Sequence, residues 1–199
     1  MEKRIGIILL AAGSSSRMGS SKQLLDIGGE PLLRRTAKIA LSTKPSIAIV
    51  VLGSNKKEHR KVIEDLPVEI IYNPDWQKGM GNTLKAGLNQ LLKIDRETEA
   101  VILLVCDQPL LTTRKIQELK EKSELTKAPI VACAYANTFG VPALFDKVMF
   151  QSLLSLPDDQ GAKKVIEQNL SQVSVIPFPE GVVDIDRPED YENFIKNVK

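Results

Sequence analysis

Hydrophobic residues along this chain fall into short runs, and each run is followed by a polar stretch in which apolar residues return at helical spacing. Five runs are rich in Ile and Val and are continuous rather than alternating, which is typical of strands covered on both faces of a parallel sheet. They cover residues 5–10, 47–52, 68–72, 101–106 and 130–134. The helical spacing is clearest at Leu33, Ala37, Ala40 and Leu41 and at Leu84, Leu88, Leu91 and Leu92. This alternation predicts a three-layer, Rossmann-like α/β fold with a mostly parallel central sheet and right-handed crossovers.

The pattern is less regular after residue 135. It predicts a short strand over 143–145, helices over 147–154 and 161–169, a strand over 173–176 and a final helix from Pro188. No linker, repeat or low-complexity segment divides the chain, so we expect residues 1–199 to form a single domain.

Composition and charge exclude several classes of partner. The net charge of +2 argues against a general nucleic-acid surface, and 5% aromatic residues argue against stacking of single strands. The longest apolar stretch, residues 5–13, is shorter than the roughly 18 residues of a membrane span. Its basic start resembles a signal peptide only superficially. We therefore expect a cytoplasmic protein that binds neither nucleic acid nor membrane.

The cysteines and the single histidine do not indicate redox or metal chemistry. Cys106 and Cys133 each lie in an apolar run, so we expect buried thiols in a reducing compartment rather than a disulfide or a zinc site. His59 stands among Lys, Arg and Glu residues, which predicts that it lies on a solvated helix face. This argues against a histidine-dependent triad or a histidine-rich metal site.

The first candidate site follows the first predicted strand, because ligands of open α/β sheets bind beyond the carboxyl ends of the strands. The candidate site residues of this segment are Leu10, Ala11, Ala12, Gly13, Ser14, Ser15, Ser16, Arg17, Gly19 and Lys22, which apart from Leu10 are small or charged. Small residues let backbone N–H groups face a phosphate, and Arg17 and Lys22 add positive charge; a merely flexible loop is the alternative. The segment is not a Walker A motif, because Ser20 and Ser21 separate Gly19 from Lys22.

Carboxylates indicate a metal site at the same sheet edge. Asp107 ends the fourth predicted strand, where it can bind Mg²⁺ or merely form a cap or turn. Asp184 and Asp186 alternate in an extended segment and so point to one side. One or both can complete the metal site, although Asp186 is equally suited to cap the helix that begins at Pro188.

A glycine-containing segment leads from the end of the third predicted strand into the amphipathic stretch that includes Leu84 and Leu88. Gly79 and Gly81 allow close approach of the backbone. Asn82 or Thr83 can bind a base or ribose, and a purely structural cap of the following helix is the alternative.

Together these segments resemble the MobA-like NTP transferase family, and most closely its molybdenum cofactor cytidylyltransferase branch. The resemblance covers nearly the whole chain and is carried by residues 10–19 with Lys22, 29–33, 73–87, 106–109, 159–162 and 184–186. It implies a nucleotidyltransferase (nucleotide-diphospho-sugar transferase) fold. It also implies a nucleotide-binding half over about residues 1–110 and an acceptor-binding half over about residues 111–199.

The resemblance also implies roles for individual residues. The backbone of residues 11–19, with Arg17 and Lys22, would hold the triphosphate. Asp107 would bind Mg²⁺, with Asp184 or Asp186 as second ligand. The nucleotide pocket would be lined by Gly79 and Gly81, with Asn82 and Thr83 as further nucleotide-binding residues. Arg17, Lys22 and Asp107 are thus the expected catalytic residues. Ala12 favours CTP over GTP, since guanylyltransferase relatives tend to carry Gly there.

The reaction implied is Mg²⁺-dependent transfer of CMP from CTP to molybdenum cofactor (molybdopterin), with release of pyrophosphate. A molybdenum-dependent dehydrogenase or its maturation factor would then receive the product. The sequence departs from the branch at Val141 (usually His), Arg187 (Thr), Thr83 (Ser) and Lys163 (Arg), which leaves the acceptor open. The alternatives are a transferase acting on a sugar or alcohol phosphate, a non-catalytic carrier of molybdenum cofactor, and a flavodoxin-like binding module.

Overall fold

The computed structural model describes residues 3–198, with side chains up to residue 197, so residues 1, 2 and 199 of the predicted domain lie outside it. Within this range seven strands form one sheet in the order β3-β2-β1-β4-β6-β5-β7. They are β1 (Ile5–Ala11), β2 (Ala48–Leu52), β3 (Glu69–Tyr72), β4 (Ala100–Val105), β5 (Ile130–Tyr135), β6 (Thr138–Asp146) and β7 (Val173–Pro177). Among these strands only β6 runs antiparallel to its neighbours, so the predicted mostly parallel sheet is confirmed.

Helices cover both faces of the sheet. They are α1 (Leu32–Ser42), α2 (Lys56–Lys61), α3 (Met80–Ile94), α4 (Thr113–Thr126), α5 (Phe150–Leu154), α6 (Lys163–Gln168) and α7 (Pro188–Val198). One apolar core joins the sheet to α1, α4 and α7, and the other joins it to α3, α5 and α6. Alternate residues of β1 face the two cores, with Leu9 in the first and Ile8 in the second. The three-layer α/β prediction is therefore confirmed.

Two strands differ from their predicted form. The run over 68–72 was expected to be covered on both faces, but β3 is the edge strand, and Glu69 and Tyr72 are exposed. β6 is longer than the predicted 143–145 because it also pairs with β5 along its first residues, from Thr138 onward. Gly140 and Pro142 in that part disfavour a strand by propensity, and tertiary pairing overrides this preference.

The prediction for His59 was wrong. His59 does belong to a helix, α2, but the side chain is fully buried while its charged neighbours on that helix are exposed. It lies against Ser21, in the segment that follows β1. The predicted burial of Cys106 and Cys133 is confirmed. No helix in the described part of the chain is long and apolar enough to cross a bilayer.

Candidate active site

The segment between β1 and α1 folds back on itself. Residues in the left-handed backbone conformation and hydrogen bonds from side chains hold it in this shape. Ser15 and Gly19 have φ of 55° and 67°, and a short 3₁₀ turn follows at Lys22–Leu24. Glycine adopts such a φ without steric cost. At Ser15 the side chain supports the turn, because its hydroxyl accepts the backbone N–H of Lys22 at 3.0 Å. The loop thus carries Lys22 back towards the end of β1.

Gln23 holds the two ends of this loop together. Its side chain is buried, and its amide donates to the carbonyls of Gly13 at 2.9 Å and Ala11 at 3.4 Å. Its amide oxygen accepts hydroxyl hydrogen bonds from Ser15 at 3.0 Å and Ser21 at 2.8 Å. Sequence reasoning did not find this residue, because glutamine is ordinarily exposed and nothing in the local pattern marks this one as buried.

Four predicted site residues meet in one charged cluster. The Lys22 ammonium contacts Asp107 Oδ2 at 2.8 Å and Asp186 Oδ1 at 3.0 Å, and Arg17 contacts Asp186 Oδ2 at 2.6 Å. Burial disfavours the charged ammonium, but the nearby Asp107 and then Asp186 raise the pKa of Lys22 overall. Burial likewise opposes ionisation of Asp186, yet Lys22 and Arg17 lower the pKa of this carboxyl below its usual value.

Backbone hydrogen bonds explain why Asp186 reaches this cluster. The N–H of buried Ile185 donates to the carbonyl of Asp107 at 2.9 Å, which fastens the segment before α7 to the end of β4. The carboxylate of Asp190 accepts the N–H groups of Asp186 at 3.1 Å and Arg187 at 2.7 Å. Asp190 therefore satisfies backbone N–H groups at the start of α7. Asp186 does not have this role, and both of its carboxylate oxygens bind basic side chains.

Asp184 is placed differently from Asp186. It is exposed as a whole and makes none of the ion pairs of the cluster. Partial burial of its carboxyl, followed by the charges of Asp186 and Asp107, raises the pKa of Asp184. Of the two predicted alternatives for a second carboxylate beside Asp107, the geometry therefore favours Asp186.

A cleft opens beside the charged cluster at the carboxyl end of β1. A cavity of about 300 Å³ is bounded on one side by Leu10, Ala11, Ala12, Gly13 and Ser14, and on the other by Trp76, Gln77, Gly79, Met80 and Thr83. Lys22 and Asp107 also line it. A second cavity of about 220 Å³ shares Gly13, Ser14 and Lys22 with the first and adds Ser15, Ser16, Arg17 and Asp186. The cleft thus has a largely uncharged part and a charged part.

Gly81 and Asn82 are not among the residues that line these two cavities. They pack against residues 157–160, where a Cβ on Gly81 would meet the carbonyl oxygens of Pro157 and Gln160. Asn82 donates its backbone N–H to the Asp158 carbonyl at 3.1 Å and its amide to the Asp158 carboxylate at 3.3 Å. Their contacts hold the 157–160 loop on the first turn of α3.

Gly79 and Thr83 line the cleft and also make structural contacts. Gly79 has φ of 127°, and a Cβ there would lie 2.5 Å from the Asp158 carbonyl oxygen, so both conformation and space require glycine. Thr83 lies in the first turn of α3, after its start at Met80, so it is not the N-cap. Its hydroxyl donates to the Gly79 carbonyl at 3.3 Å and accepts from Asn73 at 3.2 Å.

The donor set fits a hard cation that brings its own oxygen ligands. No group of three or more His, Cys, Asp or Glu residues in the described part of the chain is arranged to hold a metal. Mg²⁺, however, commonly takes one or two carboxylates and completes its shell with water and substrate phosphates. Asp107 and Asp186 meet that requirement, and Lys22 now stands between them. A metal ion bound by these two carboxylates would therefore have to displace the Lys22 ammonium.

Residues 7–173 match the family model of the MobA-like NTP transferase domain. The chain belongs to this family. A curated relative, the probable molybdenum cofactor guanylyltransferase of Synechococcus elongatus, is 35% identical over 118 residues, which cover 59% of this chain and 58% of that protein. Bifunctional protein GlmU of Buchnera aphidicola is 29% identical over 150 residues, 74% of this chain but only 31% of GlmU. The chain thus spans under two thirds of both of these relatives.

A solved structure is similar over the whole length of this MobA-like chain. The Mycobacterium sp. strain JC1 homologue of Mycobacterium tuberculosis Rv0371c superposes with a TM-score of 0.85 at 31% identity, covering 100% of this chain and 98% of that one. The fold is the predicted nucleotide-diphospho-sugar transferase fold. In this fold the charged cluster lies at the carboxyl ends of β1 and β4, the sheet edge at which α/β proteins bind ligands.

Proposed function

We propose that this MobA-like protein transfers a nucleotidyl group from a nucleoside triphosphate to a phosphorylated acceptor and releases pyrophosphate. The observation that carries the proposal is the convergence of Arg17, Lys22, Asp107 and Asp186 at one edge of the sheet, beside a cleft lined by the small residues that follow β1. A binding module or a simple carrier has no need for two basic side chains poised against two carboxylates. Phosphate recognition next to a metal site requires this arrangement.

The residues of the cluster have distinct roles in such a transfer. Asp107 and Asp186 would hold Mg²⁺, which when bound neutralises charge on the phosphate oxygens. Lys22 and Arg17 exchange their carboxylate partners for the triphosphate and stabilise the departing pyrophosphate. Residues 12–16 line the cleft, so their backbone N–H groups would be available to the same phosphates. Catalysis by positioning and charge stabilisation needs no covalent protein intermediate.

The reaction needs no histidine as general base. An oxygen of the acceptor phosphate, already ionised at neutral pH, forms the bond to the α-phosphorus of the nucleotide. The bond from the α-phosphorus to the bridging oxygen breaks in line, and that oxygen leaves as part of pyrophosphate. The single histidine of the sequence, His59, is fully buried and is not among the residues lining the cleft.

CTP is the proposed nucleotide. Ala12 lines the cleft, and Gly53 is packed so closely behind it that a Cβ there would lie 2.6 Å from the Ala12 carbonyl oxygen. The Ala12 carbonyl also accepts the N–H of Ser54 at 3.0 Å, so the backbone here is held in place, and the alanine itself supports CTP because guanylyltransferase relatives tend to carry Gly at this position. GTP is the second candidate, and it is favoured by the 35% identity with a probable molybdenum cofactor guanylyltransferase.

Molybdopterin-type cofactor is the proposed acceptor, and it is supported by the name of that relative, a probable molybdenum cofactor guanylyltransferase, and by the family motifs of the chain. The test incubates the purified protein and Mg²⁺ with α-labelled CTP or GTP and this acceptor, and identifies the product by mass. We expect a cytidylyl product and pyrophosphate in equal amounts. A guanylyl product would replace the first candidate by the second. Binding of the cofactor with no nucleotide consumption would instead indicate a carrier.

A further inference from the structure

His59 is a buried titratable residue that the proposed chemistry does not use. Its Nε2 lies 2.6 Å from Ser21 Oγ, although the two residues belong to α2 and to the segment after β1. Ser21 directly precedes Lys22, and Gln23 directly follows it. His59 therefore contacts the residue next to Lys22, where a small movement of the backbone would displace the Lys22 ammonium.

The direction of each hydrogen bond can be assigned. The amide of Gln23 must place its NH₂ towards the Gly13 and Ala11 carbonyls, so its oxygen faces Ser21 and can only accept. The single hydroxyl proton of Ser21 is used in that bond. Ser21 Oγ must therefore accept from His59, which carries its proton on Nε2.

The remainder of the His59 ring is consistent with this single role. Nδ1 has no hydrogen-bond partner within the described residues, so the ring is joined to polar groups through Nε2. Burial lowers the pKa of His59, and the charge of Glu58 offsets this only in part. Burial thus favours the neutral ring, and in that form the single hydrogen stands on Nε2, facing Ser21.

We propose that His59 is a positioning residue for nucleotidyl transfer, acting through Ser21 and Gln23 to hold Lys22 in place. The residues directly before and after Lys22 both have side chains in the series of hydrogen bonds that begins at His59. The N–H of Lys22 itself is bound by Ser15, whose hydroxyl donates to the same oxygen of Gln23. The inference rests on the proposed function of Lys22 in binding the triphosphate.

The test compares four single variants and the double variant of His59→Leu with Ser21→Ala. His59→Leu removes the donor and retains an apolar side chain, whereas His59→Gln can place an amide N–H where Nε2 now lies. Ser21→Ala breaks the same link from the other side, and Ser20→Ala is the matched control, because Ser20 is the exposed serine next to Ser21. Trp76, the single tryptophan of the sequence, lines the cleft, so its fluorescence reports nucleotide binding directly. Thermal melting and steady-state kinetics complete the set.

We expect His59→Leu and Ser21→Ala each to weaken nucleotide binding and to lower kcat/KM for the nucleotide by about threefold to tenfold, the effect of one neutral hydrogen bond. His59→Gln should recover most of this loss, and Ser20→Ala should match the wild type. In the Ser21→Ala background, His59→Leu should add little, because the link is already broken. The KM of the acceptor should not change in any variant.

Two results would overturn the positioning role while leaving the proposed function intact. One is wild-type nucleotide affinity and kcat/KM in Ser21→Ala and in folded His59→Leu. The other is equal loss in His59→Gln and His59→Leu that follows their melting temperatures, which would assign His59 to packing. If the wild-type protein itself neither binds nucleotide nor releases pyrophosphate, the proposed function fails first, and the positioning role is overturned with it.

Discussion

Replacement of Lys22 by Met tests whether the ammonium occupies the place of a metal ion. Methionine keeps a long apolar stem but removes the charge that joins Asp107 to Asp186. Asp186 keeps Arg17, whereas Asp107 has no other ion pair among the described residues. The carboxylates of Asp107 and Asp186 then repel each other, because the Lys22 ammonium no longer lies between them.

The magnitude follows from the exposure of these groups. Removal of one partner of a fully buried ion pair costs about 3–5 kcal/mol. The side chains of Asp107 and Asp186 are 25% and 27% exposed, so water screens part of the effect. We expect Lys22→Met to lower the free energy of unfolding by about 1–3 kcal/mol at pH 7. The difference should shrink as the pH falls through the lowered pKa of Asp186, because protonation of that carboxyl ends its stabilising interaction with Lys22 in the wild type.

The assay is urea unfolding of wild type and Lys22→Met with and without millimolar Mg²⁺ or Mn²⁺, in the absence of nucleotide. A ligand at about 100 times its Kd stabilises a protein by about 2.7 kcal/mol. The variant should gain stability from the metal ion, and the wild type should gain much less, because its ammonium already occupies the carboxylates. Lys85→Met is the matched control, since Lys85 pairs with Asp158 away from the cluster at similar exposure. Equal metal stabilisation of wild type and Lys22→Met would refute the reasoning.

Three further changes have defined outcomes. Asp107→Asn should fold normally and lose most turnover, with partial recovery at higher Mg²⁺ in an activity titration; a normal Mg²⁺ optimum would remove Asp107 from the metal site. Ala12→Gly should raise the ratio of GTP to CTP use in competition assays, and an unchanged ratio would make Ala12 a packing residue. The lowered pKa of His59 means that the unfolded chain binds its proton first, so wild-type stability should fall as the pH drops below about 6.5. His59→Gln should flatten that dependence in melts between pH 7.5 and 5, and an unchanged slope would contradict it.

The parts of the fold that could be predicted are those in which local pattern and tertiary environment agree. The continuous apolar runs of β1, β2 and β4 lie in the middle of the sheet, so their burial on both faces matches their composition. The first half of β6 could not be predicted, because Gly140 and Pro142 disfavour a strand and only pairing with β5 imposes one. The exposed edge position of β3 is likewise a property of the sheet order rather than of its sequence.

The candidate site was predictable in its place but not in its pairings. The strand-end rule placed the loop after β1 and Asp107 at one edge of the sheet. Lys22 and Asp186, however, are 164 positions apart, and their contact depends on the backbone bond that fastens residue 185 to the end of β4. The burial of Gln23 was not predicted, and His59 was wrongly predicted to be exposed, for a related reason. A buried polar side chain is recognisable only from the partners that satisfy it, and these come from separate segments.

Nucleotidyl transfer at this site is best tested by acceptor-dependent release of pyrophosphate from CTP, measured side by side for the wild type and Asp107→Asn at matched concentrations of folded protein. We expect one pyrophosphate for each cytidylylated molybdopterin-type product in the wild type. In Asp107→Asn we expect little release at low Mg²⁺ and partial recovery at high Mg²⁺. No release by the wild type from CTP or GTP with any phosphorylated acceptor, or full activity of Asp107→Asn at every Mg²⁺ concentration, would contradict nucleotidyl transfer at this site.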